Sequence, residues 1–292
     1  MPIPHDFEYA KPSSINEVLE ILAKYGKNAK ILAGGTDMAN MLKQGFPVPE
    51  MMIDIKGIAE LEQIILVEDE LLIGSLVTFS SILKSNIIKE KFNILWDAAH
   101  LVASNGVRNR ATMVGNICSA VACMDSAAPL LVHDAFILLK SKNNERKLPV
   151  SQWFVDNRKT AINDDELVMG VLIQLPKQKY AGSYQKLMRY SGEDLSQANV
   201  GILALEDKSF RVAFGSVGPT PKRSLKIEHF LDKKEITDAV IAEAKAMIET
   251  IIAPITDVRA TKEYRMHITK VMFERGLNEA IERLKKLKVK RI

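Results

Sequence analysis

One short segment of the sequence has the composition of an anion-binding turn. Residues 31–37 read Ile-Leu-Ala-Gly-Gly-Thr-Asp, so an apolar strand leads into two glycines, two hydrogen-bonding side chains and the start of a helix. Glycine permits positive φ and a close backbone approach. Successive N–H groups in such a turn, together with the positive end of a helix, favour a pyrophosphate. The segment is neither Gly-x-Gly-x-x-Gly nor a P-loop, and on its own it is equally compatible with an ordinary strand–turn–helix connection.

A second polar segment lies further along the chain. Residues 108–116 read Arg-Asn-Arg-Ala-Thr-Met-Val-Gly-Asn, and Asp125 and Pro129 follow. Residues 107–125 have little regular pattern. A connection this long inside an apolar context usually has a function. Taken alone, the segment is compatible with a functional loop and with an Ω-like surface loop.

The remaining reactive residue types do not form a catalytic or metal-binding pattern. Cys118 and Cys123 are the only two cysteines, which is too few for a disulfide framework or for an iron–sulfur cluster ligated by this chain. The five histidines are scattered, and none is spaced with Asp or Ser as in a catalytic triad. We therefore predict no catalytic side chain and no metal site in this chain.

Composition indicates a globular protein of about two domains. The chain has 292 residues, 47% of them hydrophobic and 26% charged, which are ordinary globular values. The formal net charge of +4 is too small to indicate nucleic-acid binding. No apolar run approaches the roughly 18 residues of a membrane span, and the N-terminus lacks the features of a signal peptide. We expect a cytoplasmic protein.

The pattern of elements changes along the chain. Ser14 and Glu17 form a capping box before an apolar helix, and strands at 29–33 and 51–55 flank a helix from Met38 to about Gln44, which predicts a small parallel sheet. Shorter strands and helices follow up to a boundary near 176. A hairpin is then expected from Asn199–Glu206 and Ser209–Ser216, and a long helix from about Thr261 to Leu287.

Together the motifs resemble those of the FAD-binding subunits of the molybdenum hydroxylases, the family of xanthine dehydrogenase, carbon monoxide dehydrogenase and nicotinate dehydrogenase. Ala33–Asp37 matches that family's first glycine motif, and Arg108–Asn116 matches its Arg-Asn-x-Ala-Thr-x-Gly-Gly-Asn motif, with Asp125 nine residues later. Further resemblance covers 186–200, 213–221 and 257–265. One departure is Val114, which stands where the family has glycine and would be costly if that position needs positive φ.

The resemblance implies an α+β fold: a two-part FAD-binding domain of the vanillyl-alcohol-oxidase/PCMH type, followed by a C-terminal α+β domain. The corresponding ranges are 1–176, divided into a small α/β lobe at 1–56 and a larger α+β lobe at 57–176, and then 177–292. The residues it implies as FAD contacts are Lys30, Ile31, Leu32, Ala33, Gly34, Gly35, Thr36, Asp37, Thr112, Met113, Val114, Gly115, Asn116, Asp125, Leu167, Val168 and Lys186.

The resemblance also implies a role for each part of this set. The two glycine-containing segments would enclose the diphosphate, and Asp125 would bind the ribose or adenine side unless it merely caps a loop. Leu167 and Val168 would contact the cofactor unless they are ordinary strand core. Lys186 would lie at the polar edge of the flavin unless it is a solvated lysine.

The implied function is electron transfer within a complex. Electrons would arrive from [2Fe-2S] clusters on a small subunit, supplied by a large molybdopterin subunit, and would leave to NAD or another acceptor. The assembly would be a dimer of heterotrimers. Two alternatives stay open at this point: a stand-alone FAD-dependent reductase, and an assembly subunit that has lost FAD.

Overall fold

The computed structural model describes residues 6–190 and 193–289, which form three successive units, each built around its own sheet. We call them the N-terminal lobe, the middle lobe and the C-terminal domain. The α+β class predicted from the sequence is confirmed, whereas the domain limits at 56 and 176 stay predictions.

The N-terminal lobe contains a three-stranded parallel sheet in the order β1-β3-β2. Its elements are β1 (Glu8–Ala10), α1 (Ile15–Tyr25), β2 (Ala29–Leu32), α2 (Thr36–Lys43) and β3 (Met51–Asp54). The predicted N-cap is present, since the Ser14 hydroxyl accepts a hydrogen bond from the Glu17 amide at 3.3 Å. Buried Val18 and Leu22 of α1 pack on Ile53 of the central strand. Strand β2, which leads into α2, is paired with this central strand from Ala29 to Leu32.

The middle lobe contains a five-stranded antiparallel sheet in the order β4-β5-β10-β6-β7, with six short helices and a two-stranded ribbon. Its elements are β4 (Ile64–Val67), β5 (Glu70–Gly74), α3 (Phe79–Lys84), α4 (Asn86–Lys91), α5 (Asn93–His100), α6 (Asn105–Arg108), α7 (Met113–Ser119), α8 (Ala127–Val132), β6 (Phe136–Lys140), β7 (Glu145–Pro149), β8 (Phe154–Asp156), β9 (Lys159–Thr160) and β10 (Leu167–Gln174). The prediction of an irregular segment at 107–125 is wrong in part, because α7 lies within it.

The C-terminal domain contains a four-stranded antiparallel sheet in the order β11-β12-β13-β14, covered by helices. Its elements are β11 (Tyr180–Leu187), β12 (Ala198–Leu205), β13 (Phe210–Gly215), β14 (Lys222–Arg223), α9 (Leu225–Leu231), α10 (Asp238–Met247) and α11 (Lys262–Val289). The predicted hairpin and long helix are therefore present. Buried Phe273 and Leu277 of α11 pack on the sheet through Val200 and Ile202 of β12.

The C-terminal domain is held against the middle lobe at one end of β11. The Asn93 side chain donates to the Gly182 carbonyl at 2.7 Å and accepts from the Gly182 amide at 3.1 Å. Arg283 of α11 donates to the same carbonyl at 2.8 Å and pairs with Asp97 of α5. No helix within the described ranges combines the length and apolar character needed to cross a membrane.

Candidate functional site

The turn between β2 and α2 leaves a group of backbone donors without acceptors. Gly35 is left-handed, with φ 77°, and caps α2 without a side-chain hydrogen bond. The first amide of this turn that is bonded within the helix is that of Ala39, which donates to the Gly35 carbonyl at 3.0 Å. Within the described part of the chain, no acceptor binds the amides of Gly34, Gly35 or Thr36. These orphan N–H groups at a helix N-terminus form a site suited to an anion.

Gly34 brings the two polar segments of the sequence into contact. A Cβ at this position would lie 2.0 Å from the carbonyl oxygen of Arg110 and 3.0 Å from Cα of Ala111. Real atoms cannot approach so closely, so only glycine fits here without moving backbone. The structure therefore confirms that the two segments adjoin, which the spacing in the sequence alone could not establish.

Residues Thr112–Asn116 form the first turns of α7 rather than an open loop. Thr112 is buried, and its hydroxyl caps the helix by accepting from the Gly115 amide at 2.9 Å. The Asn116 side-chain oxygen accepts from the Ser126 amide at 3.2 Å. The second segment is thus tied to the chain immediately after Asp125.

Val114 does not have the positive φ that would make valine costly at a position where the family has glycine. It lies inside α7 and is not among the residues with positive φ. Its side chain is 3% exposed and belongs to the middle core together with Met113. The concern that valine imposes a backbone cost here is therefore wrong, because a right-handed helical position accommodates it.

Asp125 and Lys186 meet in a buried ion pair between the middle lobe and the C-terminal domain. The Lys186 ammonium donates to Asp125 Oδ2 at 2.9 Å and to the Leu101 carbonyl at 2.8 Å. The Tyr184 hydroxyl donates to Asp125 Oδ1 at 2.7 Å. The Lys186 side chain is only 1% exposed, so the alternative of a solvated lysine is wrong.

Burial dominates the electrostatics of this cluster. It raises the pKa of Asp125 above its ordinary value, and the Lys186 charge and the Tyr184 hydrogen bond act in the opposite direction. Burial, with the Asp125 charge, raises the pKa of Tyr184 well above 10, so this phenol stays protonated and donates. The arrangement holds a fixed cation and a fixed hydroxyl donor away from water.

Leu167 and Val168 lie where β10 joins the two lobes. Leu167, 1% exposed, packs in the N-terminal core, and Val168, 5% exposed, packs in the middle core. The Val168 carbonyl accepts from the Ser75 hydroxyl. Both side chains are strand core, and their direct contact with a cofactor stays a prediction.

The residues of the first segment differ in exposure. Lys30 and Asp37 are exposed, whereas Ile31, Leu32, Ala33 and Thr36 are partly buried. Ile31 and Ala33 pack on the N-terminal core. Ile31 and Ala33 therefore anchor the turn on the N-terminal core.

Sequence reasoning missed several residues of the site. Tyr184 could have been found, because in a strand it shares a face with Lys186 two residues later. Ser126 lies directly after Asp125, and its buried hydroxyl has no hydrogen-bond partner within the described residues. Asn199 and Ser216 bond to the Met124 and Ala122 carbonyls, just before Asp125 in the chain, and only the fold brings them there.

These features fit FAD. The unpartnered amides at 34–36 suit a diphosphate, the close approach at Gly34 forms a backbone cradle, and the unpartnered Ser126 hydroxyl offers a further donor beside Asp125. A cation and a neutral phenol near a redox-active ring are typical means by which proteins adjust a cofactor.

Comparisons with known proteins agree with this geometry. Residues 5–177 match the family model described as the FAD binding domain in molybdopterin dehydrogenase, and residues 182–280 match the carbon monoxide dehydrogenase flavoprotein C-terminal domain. The medium chain of carbon monoxide dehydrogenase from Hydrogenophaga pseudoflava is 31% identical over 95% of this chain and 98% of its own. The xanthine dehydrogenase FAD-binding subunit of Escherichia coli O157:H7 is 29% identical over 94% and 95%.

The fold is also similar to that of a solved structure. Carbon monoxide dehydrogenase from Hydrogenophaga pseudoflava, in a form lacking the Mo-pyranopterin moiety, superimposes with a TM-score of 0.92 at 29% identity, covering 97% of this chain and 99% of that one. The similarity extends across all three units.

Proposed function

Because this chain belongs to the family of FAD-binding subunits of molybdopterin dehydrogenases, we propose that it carries electrons from [2Fe-2S] clusters on a partner subunit to NAD or another acceptor. The chain is an FAD-binding oxidoreductase subunit. The proposal concerns the route of the electrons on either side of the flavin. FAD supplies two-electron redox chemistry that the twenty amino acids lack.

The chain's own groups have separable roles in this proposal. The amides of Gly34, Gly35 and Thr36 bind the diphosphate, and Thr112–Asn116 form the second wall of the site. Lys186, held by Asp125 and the Leu101 carbonyl, offsets negative charge on the reduced cofactor. Because Asp125 contacts Lys186 directly, the proposal assigns Asp125 to the flavin side rather than to the ribose or adenine side. No side chain is assigned to bond-making, since the substrate is oxidised on another subunit.

The observation that supports the FAD site, on which the proposed electron route depends, is the set of unpartnered amides at 34–36 against the Arg110 backbone. The first test is the absorption spectrum of the purified chain, with chromatography of the released cofactor. We expect flavin bands and about one FAD per chain. A colourless chain that becomes yellow only when the partner subunits are co-expressed would restrict the site to the complex, and a colourless complex would refute the proposal.

The assembly is the second part of the proposal. We expect the chain to copurify with a small iron–sulfur subunit and a large molybdopterin subunit, as a cytoplasmic dimer of heterotrimers. Mass measurement of the native complex, with metal analysis, tests this arrangement. Bleaching of the flavin by NADH would support NAD as acceptor, and its absence in an intact, FAD-loaded complex would favour a different acceptor.

A further inference from the structure

The start of α11 contains a buried arginine that bonds to the ends of two strands. Nη1 of Arg265 donates to the Gln197 carbonyl at 2.6 Å and also lies 3.4 Å from the Ser216 carbonyl. Gln197 directly precedes β12, and Ser216 directly follows β13. Nη2 pairs with Asp257 at 2.7 Å. The Arg265 side chain is 5% exposed, so these contacts take the place of water around its guanidinium group.

Asp257 is itself fixed by the loop in which it lies. Its carboxylate accepts from the amides of Arg259 at 2.8 Å and Ala260 at 3.2 Å. Partial burial raises the pKa of Asp257, but these bonds and the Arg265 guanidinium lower it to about 2. The carboxylate is therefore charged throughout the physiological range and holds the guanidinium in one orientation.

The two strand ends bound by Arg265 hold the segment immediately before Asp125. The Ser216 amide donates to the Ala122 carbonyl at 3.0 Å, and the Asn199 side chain donates to the Met124 carbonyl at 3.5 Å. Asn199 is also the cross-strand partner of Lys186. Arg265 thus bonds to the ends of the two strands that contact the pair: β12 and β13 bind the segment before Asp125, and β12 is also paired with Lys186.

The local structure is costly in ways that packing does not explain. Ser216 has φ 64°, a conformation that non-glycine residues avoid. Three buried side-chain atoms have no hydrogen-bond partner in the described part of the chain: Arg265 Nε, Gln197 Nε2 and Asn199 Oδ1. Buried unpaired polar groups oppose folding. A strained, polar arrangement beside a cofactor site is typical of positioning.

We propose that Arg265, oriented by Asp257, is a positioning residue that sets the Asp125–Lys186 pair against the flavin. This inference rests on the proposed function, because it assigns a purpose to a pair that would face FAD. The guanidinium does not touch the cofactor in this proposal. It acts by fixing the ends of β12 and β13 at Gln197 and Ser216, because Asn199 of β12 and Ser216 in turn bond to the Met124 and Ala122 carbonyls.

The test compares Arg265→Met with a matched control on the same helix. Arg283→Met also removes an arginine of α11 that donates to a sheet carbonyl and pairs with an aspartate. Its partners include Gly182 and Asp97, and it forms no hydrogen bond or ion pair with Gln197, Ser216 or Asp257 in the described part of the chain. Hydrogen exchange in the full chain is the first readout. We expect peptides covering 119–126 to exchange about tenfold faster or more in Arg265→Met, and to be unchanged in Arg283→Met. Unchanged exchange at 119–126 in Arg265→Met would overturn the proposal.

The second readout is the visible circular dichroism of the bound flavin. Arg265→Met should shift this spectrum in the same direction as Lys186→Met, Arg265→Lys should restore it in part, and Arg283→Met should leave it unchanged. A spectrum that does not move, at full FAD occupancy, would overturn the link to the flavin. If Arg265→Met does not fold, Asp257→Asn takes its place in both measurements. If the wild-type protein holds no FAD even in the complex, the proposed function fails, while the exchange measurement still decides whether Arg265 positions residues 122–125.

Discussion

Replacing Gly34 by alanine should separate the two walls of the cofactor site. The added Cβ would lie 2.0 Å from the Arg110 carbonyl oxygen and 2.8 Å from its carbonyl carbon, whereas comfortable contacts begin at about 3.5 Å. The backbones must therefore move apart by roughly 1.5 Å. Both sides are main chain, so no rotamer change relieves the clash, and overpacking of this kind costs about 1–3 kcal/mol of stability.

The effect on FAD follows from the same displacement. A hydrogen bond to a charged phosphate contributes about 1.5–3 kcal/mol, and a shift of this size breaks a bond of ordinary length. Loss of one such bond raises the Kd for FAD roughly tenfold to a hundredfold. The assay is titration of the cofactor-free protein with FAD, accompanied by thermal unfolding to verify that the variant is folded.

Gly106→Ala is the matched control, because a Cβ there lies no closer than 3.8 Å to the Ser104 hydroxyl oxygen. Its FAD affinity should equal that of the wild type. Gly35→Pro should abolish binding, since proline cannot adopt the φ of 77° found there. The reasoning is refuted if folded Gly34→Ala binds FAD within about twofold of wild type, a difference below 0.5 kcal/mol.

Three further outcomes follow from buried groups. Lys186→Met should cost about 3–5 kcal/mol in denaturant unfolding because it leaves Asp125 unpaired, and adding Asp125→Asn should recover a large part of that loss. Val114→Gly should lower stability by roughly 2–3 kcal/mol, from helix propensity and a cavity, without improving FAD affinity. Burial lowers the pKa of His133 to about 3, so between about pH 3 and 6.5 the unfolded chain binds a proton that the folded chain does not. Stability should therefore decrease as the pH is lowered through that window, by up to ~1.4 kcal/mol per pH unit. His133→Leu should remove this component, and an unchanged pH profile would contradict the assignment.

Local signals in the sequence predicted the elements that local physics determines. The Ser14 N-cap and the two glycines after β2 act within a few residues, so their effects are readable without a fold, although the Glu17 carboxylate accepts from the Ser13 amide rather than from the Ser14 amide of a capping box. The hairpin at 199–216 and the long final helix were likewise predicted from alternation and helical spacing. Strand β1 was missed, because three residues are too short to show a period.

The contacts that make the site were beyond such reasoning. Lys186 and Asp125 are 61 residues apart, and nothing in either neighbourhood specifies the other. The approach of Gly34 to Arg110 has the same character, since it depends on how two lobes dock. The concern over Val114 was wrong for a related reason, because the family's glycine at that position does not imply a left-handed backbone once α7 is seen to include it.

The Asp125–Lys186 pair is better explained by charge placement than by stability. Buried ion pairs often contribute less than apolar residues of the same volume, because desolvation offsets the attraction. Asn93, Arg211 and Arg223 also connect the C-terminal domain to the middle lobe, away from the pair, so the pair is one of several connections between them. Its members nevertheless come from different domains, and the Leu101 carbonyl and Tyr184 hydroxyl bind the charged groups directly. In the proposed function, the cation kept dry and immobile at this junction acts on the flavin, whose charge changes as it takes up and releases electrons.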